Sequence, residues 1–324
     1  MKILVLGGGG FIGRKLAEAL VRRGELRSAE ITGLTLADIR APWPLQAPYE
    51  VALEALDIAD RAAVARVVAE HDVIFHLAAA VSGECEANFD LGMHANLEGT
   101  LSVLEAARQA EAASGQRPVV VYTSSIAVYG GDTPVPITDW TALNPQTSYG
   151  SQKAATELIL NDYARKGFID GRGLRLPTIS VRPGKANKAA SSFMSSIFRE
   201  PLQGQPAICP VGPDYEHWFL SPRRVVESII HAAEVPEEAL GMQRCFAIPG
   251  KTHRIGDMVE AMRRIAGDAP CDLIRWEQDP AVEAIVLGWK GRFAPEKALA
   301  LGFRADESFE DNIRYFLEDD IQRA

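Results

Sequence analysis

Cysteine is scarce and scattered: the 324 residues hold four, Cys85, Cys209, Cys245 and Cys271, with no C-x-x-C pair among them. Such spacing offers neither a zinc site nor a disulfide framework, and it fits a reducing compartment. The six histidines, His71, His76, His94, His217, His231 and His253, show no metal-ligand spacing, so no metal is expected. Basic residues are outnumbered, 34 Lys and Arg against 43 Asp and Glu, for a formal net charge of -9. That balance argues against nucleic acid and against an anionic membrane surface as partners. No apolar run approaches the length of about 18 residues that a membrane span needs. The opening run "KILVL" breaks into glycines too early for a signal peptide, and no A-x-A site follows. Internal repeats and low-complexity tracts are absent as well. What remains, 47% apolar and 24% charged residues, is the composition of an ordinary globular protein. A cytoplasmic protein that takes small ligands is expected.

Along the chain, short apolar runs alternate with stretches of helical period. "KILVL" reads as a strand, "FIGRKLAEALVRRG" as a helix stopped by Gly24, "EITGLTLADI" as a second strand ending in Asp38, and "ADRAAVARVVAEH" as a helix. "DVIFHLAAA" reads as a buried strand, residues 86–110 as one long helix, "PVVVYTSS" as a strand, and the stretch from Tyr149 as an amphipathic helix, before the apolar run "GLRLPTISVRPG". This alternation predicts an α/β fold with a doubly wound parallel sheet covered on both faces. Beyond Gly184 the alternation degrades and prolines accumulate. A smaller mixed α/β substrate domain is therefore expected from 177–217 with 249–324, beside a dinucleotide-binding domain of 1–176 with 218–248.

The glycines come first in the chemistry. Gly7, Gly10 and Gly13 are spaced three apart, and Gly8, Gly10 and Gly13 also fit G-x-G-x-x-G. Between a strand and a helix, glycine permits a sharp turn, backbone approach to a pyrophosphate and close helix packing. Phe11 and Ile12 would present amides at the helix N-terminus, where the dipole favours a diphosphate. Asp38 at the end of the second strand suits the two adenosine ribose hydroxyls and repels a 2'-phosphate, which predicts NAD; it is otherwise a turn aspartate, and Arg40 nearby would suit NADP instead. Asp57 and Ile58 either contact the adenine edge or, for Asp57, cap a helix.

Tyr149 and Lys153 lie four apart, one turn along a helix face, in "SYGSQKAATE". A free tyrosine with a pKa of about 10 is a poor base at neutral pH. A nearby ammonium and a helix N-terminus would both favour its phenolate. Strand ends of such a sheet collect ligands, and the strand before this helix ends in Thr123, Ser124 and Ser125.

With "GGGGFIG", "LADI", "DVIFHLAAA", "NLEGT", "YTSSIAVYGG" and "SYGSQKAATE" in place, the chain resembles the extended short-chain dehydrogenase/reductase superfamily, the epimerase/dehydratase-like Rossmann enzymes, over nearly its full length. The resemblance implies a catalytic tetrad of Asn96, Ser125, Tyr149 and Lys153: Tyr149 as base, Lys153 also holding the nicotinamide ribose, Ser125 orienting the substrate oxygen, and Asn96 holding a proton-relay water. It extends the cofactor site to Leu77, Ala78, Ala79, Asn96, Pro177 and Thr178, and it implies a homodimer. Two contacts to nucleotide-sugar diphosphates depart from the pattern. Pro177 and Thr178 replace the asparagine of R-x-F-N, while His217 and Ser221 stand where an arginine and an acidic stretch are usual. Arg182, Lys185 and Lys188 with Ser191 and Ser192 form a compact basic group suited to a carboxylate, or simply a solvated loop. These pieces, with "WFLSPRR" and "WEQDPAVEAIVLGW", look like the D-erythronate dehydrogenase branch, whose members oxidise the 2-hydroxyl of a four-carbon sugar acid with NAD. Ser82 and Gly83 then border the substrate with Ser125, Tyr149, Arg182 and Lys185. The alternatives are a nucleoside-diphosphate-sugar epimerase or dehydratase, and a dinucleotide-binding regulator without turnover.

Overall fold

Short runs of branched side chains bounded by glycine, proline or aspartate favour strands, because such residues pack well on a pleated surface. In the computed structural model, which describes residues 1–184 and 190–321, seven strands form one sheet. They are β1 (Lys2–Leu6), β2 (Gly33–Asp38), β3 (Glu50–Ala55), β4 (Val73–His76), β5 (Val119–Ser125), β6 (Asp170–Leu176) and β7 (Cys245–Ala247), in the order β7-β6-β5-β4-β1-β2-β3. The pairings from β5 across to β3 are parallel, with Val5 opposite Leu36 on one side and Phe75 on the other. The chain runs outward from β1 through β2 and β3, then resumes at β4 on the other side of β1. That reversal is the switch point where such sheets bind ligands.

Helices connect the strands: α1 (Phe11–Arg23), α2 (Arg61–Val68), α3 (Gly99–Ser114), α4 (Ser148–Arg165) and α5 (Pro222–Glu234). Gly24 ends α1 in the left-handed conformation at φ 69°, its amide bonded to Leu20, as glycine C-caps do. Asp60 caps α2 by accepting from Ala62 and Ala63, so Asp57 is not that cap. Leu4, Leu6, Val64, Ile74, Val103, Leu104, Val120 and Leu160 are fully buried in one core cluster, each contributing about 1.5–3 kcal/mol of transfer free energy.

Two expectations are corrected. The edge strand β3 was not expected: in its EVALEA stretch two glutamates and two alanines dilute the strand propensity of Val51. The single helix expected over 86–110 is instead Ser82–Ala87, Phe89–Gly92, a π turn over Met93–Glu98, and α3. Asn88 breaks it with extended backbone and caps the next turn through Leu91.

The chain divides into two compact units: 1–128 with 147–175 and 226–246, and 129–146 with 176–225 and 247–324. The second unit thus takes in 129–146 and 218–225 beyond the expected boundaries. It contains the three-stranded arrangement of Thr178–Ile179, Glu216–Leu220 and Lys251–Arg254, and the parallel pair Ala207–Cys209 with Ile274–Trp276. Its own core gathers Phe193, Met194, Ile197, Phe198, Phe219, Met258, Met262, Phe309 and Ile313.

In the first unit the "apolar" run of β6 conceals two buried arginines. Arg172, with no exposed surface, donates to the carbonyls of Ala232 (2.7 Å) and Val235 (2.9 Å) at the end of α5 and pairs with Asp170. A buried charge persists only with such partners. Replacing it by methionine leaves those carbonyls and Asp170 short of a partner. Arg172→Met should lower unfolding free energy by about 3 kcal/mol, read from the denaturant midpoint.

Candidate active site

The glycine turn is built for a close ligand. Gly7 adopts φ +88°, and a side-chain carbon there would come within 2.7 Å of the Ala78 amide nitrogen. At Gly13 the same carbon would lie 2.1 Å from the Gly7 carbonyl oxygen, so any side chain would displace the turn. The first intrahelical bond of α1 runs from Arg14 to Gly10, which leaves the Phe11, Ile12 and Gly13 amides free of helical acceptors. No side chain caps Gly10, and the first turn has no acidic residue. The cradle therefore fits a diphosphate. Asp38 stands at the end of β2 and accepts from Gly9 at 3.0 Å and from Ile39 at 2.8 Å, a half-buried carboxylate beside the turn. Arg40 is exposed. Leu77 and Ala78 bond their amides to Leu6 O and carry the chain, with Ala79, past the glycines. Asp57 accepts from Ala59 (2.9 Å) and meets His94 Nε2 (3.2 Å), and Ile58 is packed against Gly99.

Helix α4 carries Tyr149 and Lys153. Thr147 caps it by accepting from Gly150 at 3.0 Å, and Tyr149 and Lys153 follow one turn apart. Beside the apolar Ala154, Leu160 and Ala164, α4 buries four polar side chains, Gln152, Lys153, Thr156 and Glu157, each at most 3% exposed. Each finds a partner on a neighbouring element. Lys153 Nζ donates to Thr123 O of β5 at 2.8 Å and lies 4.6 Å from the Tyr122 ring centre. Thr156 meets the Tyr122 hydroxyl at 2.6 Å. Glu157 accepts from Ser124 and, at 2.7 Å, from Arg175 of β6. Ser125, at the end of β5, lies close enough to the Tyr149 phenol to lower its pKa, so the two hydroxyls are neighbours. Asn96 lies in the π turn, 1% exposed. Its oxygen accepts from Ala80 at 2.8 Å, and its nitrogen donates to Gln152 at 2.9 Å and to Cys85 Sγ at 3.2 Å. The Asn96 side chain thereby clamps the loop after β4 to α4. Ser82 opens the short helix Ser82–Ala87, and Glu86 of that helix accepts from Ser148 at 2.6 Å, tying it to the start of α4.

Electrostatically the pair runs opposite to expectation. Burial pushes the Tyr149 phenol up to about 12, against the Ser125 side chain, which pulls it down. Burial likewise pushes the Lys153 ammonium down to about 7, with Cys85 and Glu157 pulling it up. Desolvation penalises whichever form is charged, so the acid and the base both shift toward neutrality. Lys153 Nζ stands 5.7 Å from the Tyr149 ring centre and donates to the Thr123 carbonyl.

Pro177, Thr178 and Arg182 fall in the second unit. Thr178 Oγ1 is 2.9 Å from His217 Nε2. Arg182 contacts the Ser195 hydroxyl (3.5 Å) and donates to Ser191 O (3.3 Å); burial and the Arg199 charge lower its pKa. Ser221 is engaged by Asp306 through hydroxyl and amide, both at 2.7 Å. Lys185 and Lys188 lie outside the described residues. Among those described, no three metal-ligating side chains converge, and no helix is long and apolar enough to cross a membrane. The four cysteines are buried thiols. Sequence reasoning placed Thr123 at the strand end but missed Gln152 and Glu157; the Lys153-to-Glu157 spacing of one further turn was the available signal.

A diphosphate cradle at the switch point, an aspartate after β2 and a Ser, Tyr, Lys cluster at the end of β5 define a nicotinamide-dependent oxidoreductase of the Rossmann class. The family described as "NAD dependent epimerase/dehydratase family" matches residues 3–239. A D-erythronate dehydrogenase of Cupriavidus necator is 48% identical, over 98% of each chain. One of Haemophilus influenzae is 39% identical, over 99% of this chain and 100% of that one. The crystal structure of a nucleoside-diphosphate-sugar epimerase from Agrobacterium tumefaciens superposes with a TM-score of 0.96 at 44% identity, covering 100% of this chain and 95% of that one. The chain belongs to the NAD-dependent epimerase/dehydratase family, and its cofactor is NAD.

The depressed Lys153 pKa has a stability consequence. Between about 7 and 10.5 the unfolded chain holds a proton on this lysine that the folded chain releases, so stability rises with pH across that window by at most about 1.4 kcal/mol per unit. Denaturation of the cofactor-free protein at several pH values should show this rise, and Lys153→Met should remove it.

Proposed function

We propose that this protein oxidises the 2-hydroxyl of a small sugar acid, D-erythronate or a near analogue, to the 2-oxo acid with NAD. The observation that supports the chemistry is the Ser125 side chain beside the Tyr149 phenol, with Lys153 buried one turn further along α4. In this reading Tyr149 O takes the proton of the C2 hydroxyl while Ser125 orients that oxygen. When bound, NAD supplies the hydride acceptor at its nicotinamide C4 and the positive charge of its oxidised ring. The amides of Phe11 and Ile12, with Gly7, Gly10 and Gly13, hold the diphosphate, and Asp38 holds the adenosine ribose. Asp57, Ile58 and the Leu77–Ala79 stretch flank the adenosine side, and Lys153, Pro177 and Thr178 the nicotinamide side. Asn96 keeps the loop and α4 in register. Ser82 borders the substrate.

A carboxylate-bearing substrate is supported by Arg182. Its hydrogen-bond partners among the described residues, Ser195 and Ser191, are neutral, so the guanidinium suits an anionic ligand. The engagement of Ser221 by Asp306 removes it as a diphosphate donor. Both names borne by relatives support this reading, since two are called D-erythronate dehydrogenases. The epimerase name of the Agrobacterium structure keeps a second reading, in which the same tetrad returns the hydride to a nucleotide sugar. Cysteines that are buried thiols rather than disulfides support a cytoplasmic setting, and the homodimer implied by the resemblance belongs to this proposal.

With D-erythronate and NAD the protein should form NADH, followed by absorbance, and UDP-sugars should give none. Tyr149→Phe should lower kcat by at least about 10³-fold with NAD binding near normal. Turnover retained by that variant refutes the base assignment; no oxidation of any sugar acid, with UDP-sugar conversion instead, establishes the second reading.

A further inference from the structure

Lys153 is a buried amine without an acidic partner. It is 2% exposed, and among the described residues its hydrogen bond is the 2.8 Å donation to Thr123 O. Glu157, one turn further along α4, is taken up by Ser124 and Arg175. Cys85 is a thiol whose pKa burial raises. His76, at the end of β4, is a neutral imidazole pushed down to about 3 by burial and by Lys153 itself. An ammonium carries three donors, and burying its charge is costly unless it is paired. One carbonyl oxygen compensates little of that cost.

The remaining contacts of the charge are aromatic. Nζ lies over the Tyr122 ring, 4.6 Å from its centre, and 5.7 Å from the centre of the Tyr149 ring. The negative face of such a ring attracts a cation within about 6 Å, most strongly away from water, and Tyr122 has no exposed surface. The ring is also pinned. Thr156 Oγ1 donates back to the Gln152 and Lys153 carbonyls at 3.0 and 2.9 Å, which leaves its oxygen to accept from the Tyr122 hydroxyl at 2.6 Å. Burial holds that phenol well above its ordinary pKa, so the ring stays neutral. From β4 the His76 ring lies 5.5 Å away, tilted by 38°. We propose that Tyr122 is a positioning residue of the active site: the face of its ring seats the Lys153 ammonium beside Tyr149 and keeps it charged. The inference rests on the part given to Lys153 in the proposed function. The ring face, rather than the hydroxyl, is its active feature.

Denaturation of the cofactor-free full chain isolates the lysine. Midpoints are measured from about pH 5 to about pH 10 with Lys153 and with Lys153→Met, and the difference between the two curves carries the ionisation of the lysine. In the wild type this difference rises with pH from about 7, because above that value the folded chain releases a proton that the unfolded chain keeps. Tyr122→Phe keeps the face and should keep that onset. Tyr122→Leu removes the face and should move the onset about one pH unit lower. Pentafluorophenylalanine at 122 keeps the shape, withdraws the negative charge of the face and should act as leucine does; it replaces the leucine variant should that variant not fold. An onset that fluorination leaves in place overturns the inference. So does an equal shift in Tyr122→Phe, which would make the hydroxyl the cause. Activity separates this inference from the function beneath it. With D-erythronate and NAD at about pH 8, one unit lost from the lysine pKa leaves about tenfold less ammonium, so Tyr122→Leu should lower kcat about tenfold relative to Tyr122→Phe. Wild-type protein that oxidises no sugar acid removes the function proposed above and leaves the denaturation series to decide the part of the ring. An active wild type with onset and kcat unmoved in the leucine variant removes this inference alone.

Discussion

The helix bearing Tyr149 and Lys153 buries four polar side chains, and the site depends on how they are satisfied. Gln152, Lys153, Thr156 and Glu157 are each matched by Asn96, Thr123, Tyr122, or Ser124 with Arg175. The partners come from three separate pieces of chain: the π turn, the end of β5, and β6. A buried polar group without a partner costs free energy on the order of 1–3 kcal/mol, so a slip of α4 by one residue would forfeit several such terms together. That collective cost fixes the helix in register, and with it the meeting of Tyr149 and Ser125.

The same burial creates an electrostatic problem. Taking a phenol and an ammonium out of water drives both toward neutrality, and here the phenol rises to about 12 while the ammonium falls to about 7. A phenol so raised stays protonated at neutral pH. A positive charge arriving in this weakly screened place acts far more strongly than it would at the surface. Activation of Tyr149 is in this account a consequence of cofactor binding rather than a standing property of the lysine.

Local signals made much of this legible in the sequence. The glycine turn, Asp38 after β2 and the Tyr149–Lys153 spacing are short-range patterns whose chemistry requires those residue types, and the fold places them as a dinucleotide enzyme would. What escaped was non-local. The π turn around Asn96 arises from packing against α4 and α3, and no hydrophobic period announces it; Asn88, a cap-forming residue inside a helical stretch, was its one visible trace. Arg172 and Arg175 were hidden in an apolar run because their carboxylate partners, Asp170 and Glu157, become partners only in the folded chain. The direction of the Tyr149 shift was misjudged because spacing gives proximity but not desolvation. The polar ends of β5 and α4 suit hydride chemistry on many alcohols, while Arg182 and Ser221 in the second unit bear on which one.

Ionisation of Tyr149 can be followed by tyrosinate absorbance as the pH is raised, comparing wild type with Tyr149→Phe, with and without saturating NAD. The account predicts one additional tyrosinate below about pH 10 that appears only in the wild type and only with NAD present. Identical titrations with and without the cofactor would contradict it.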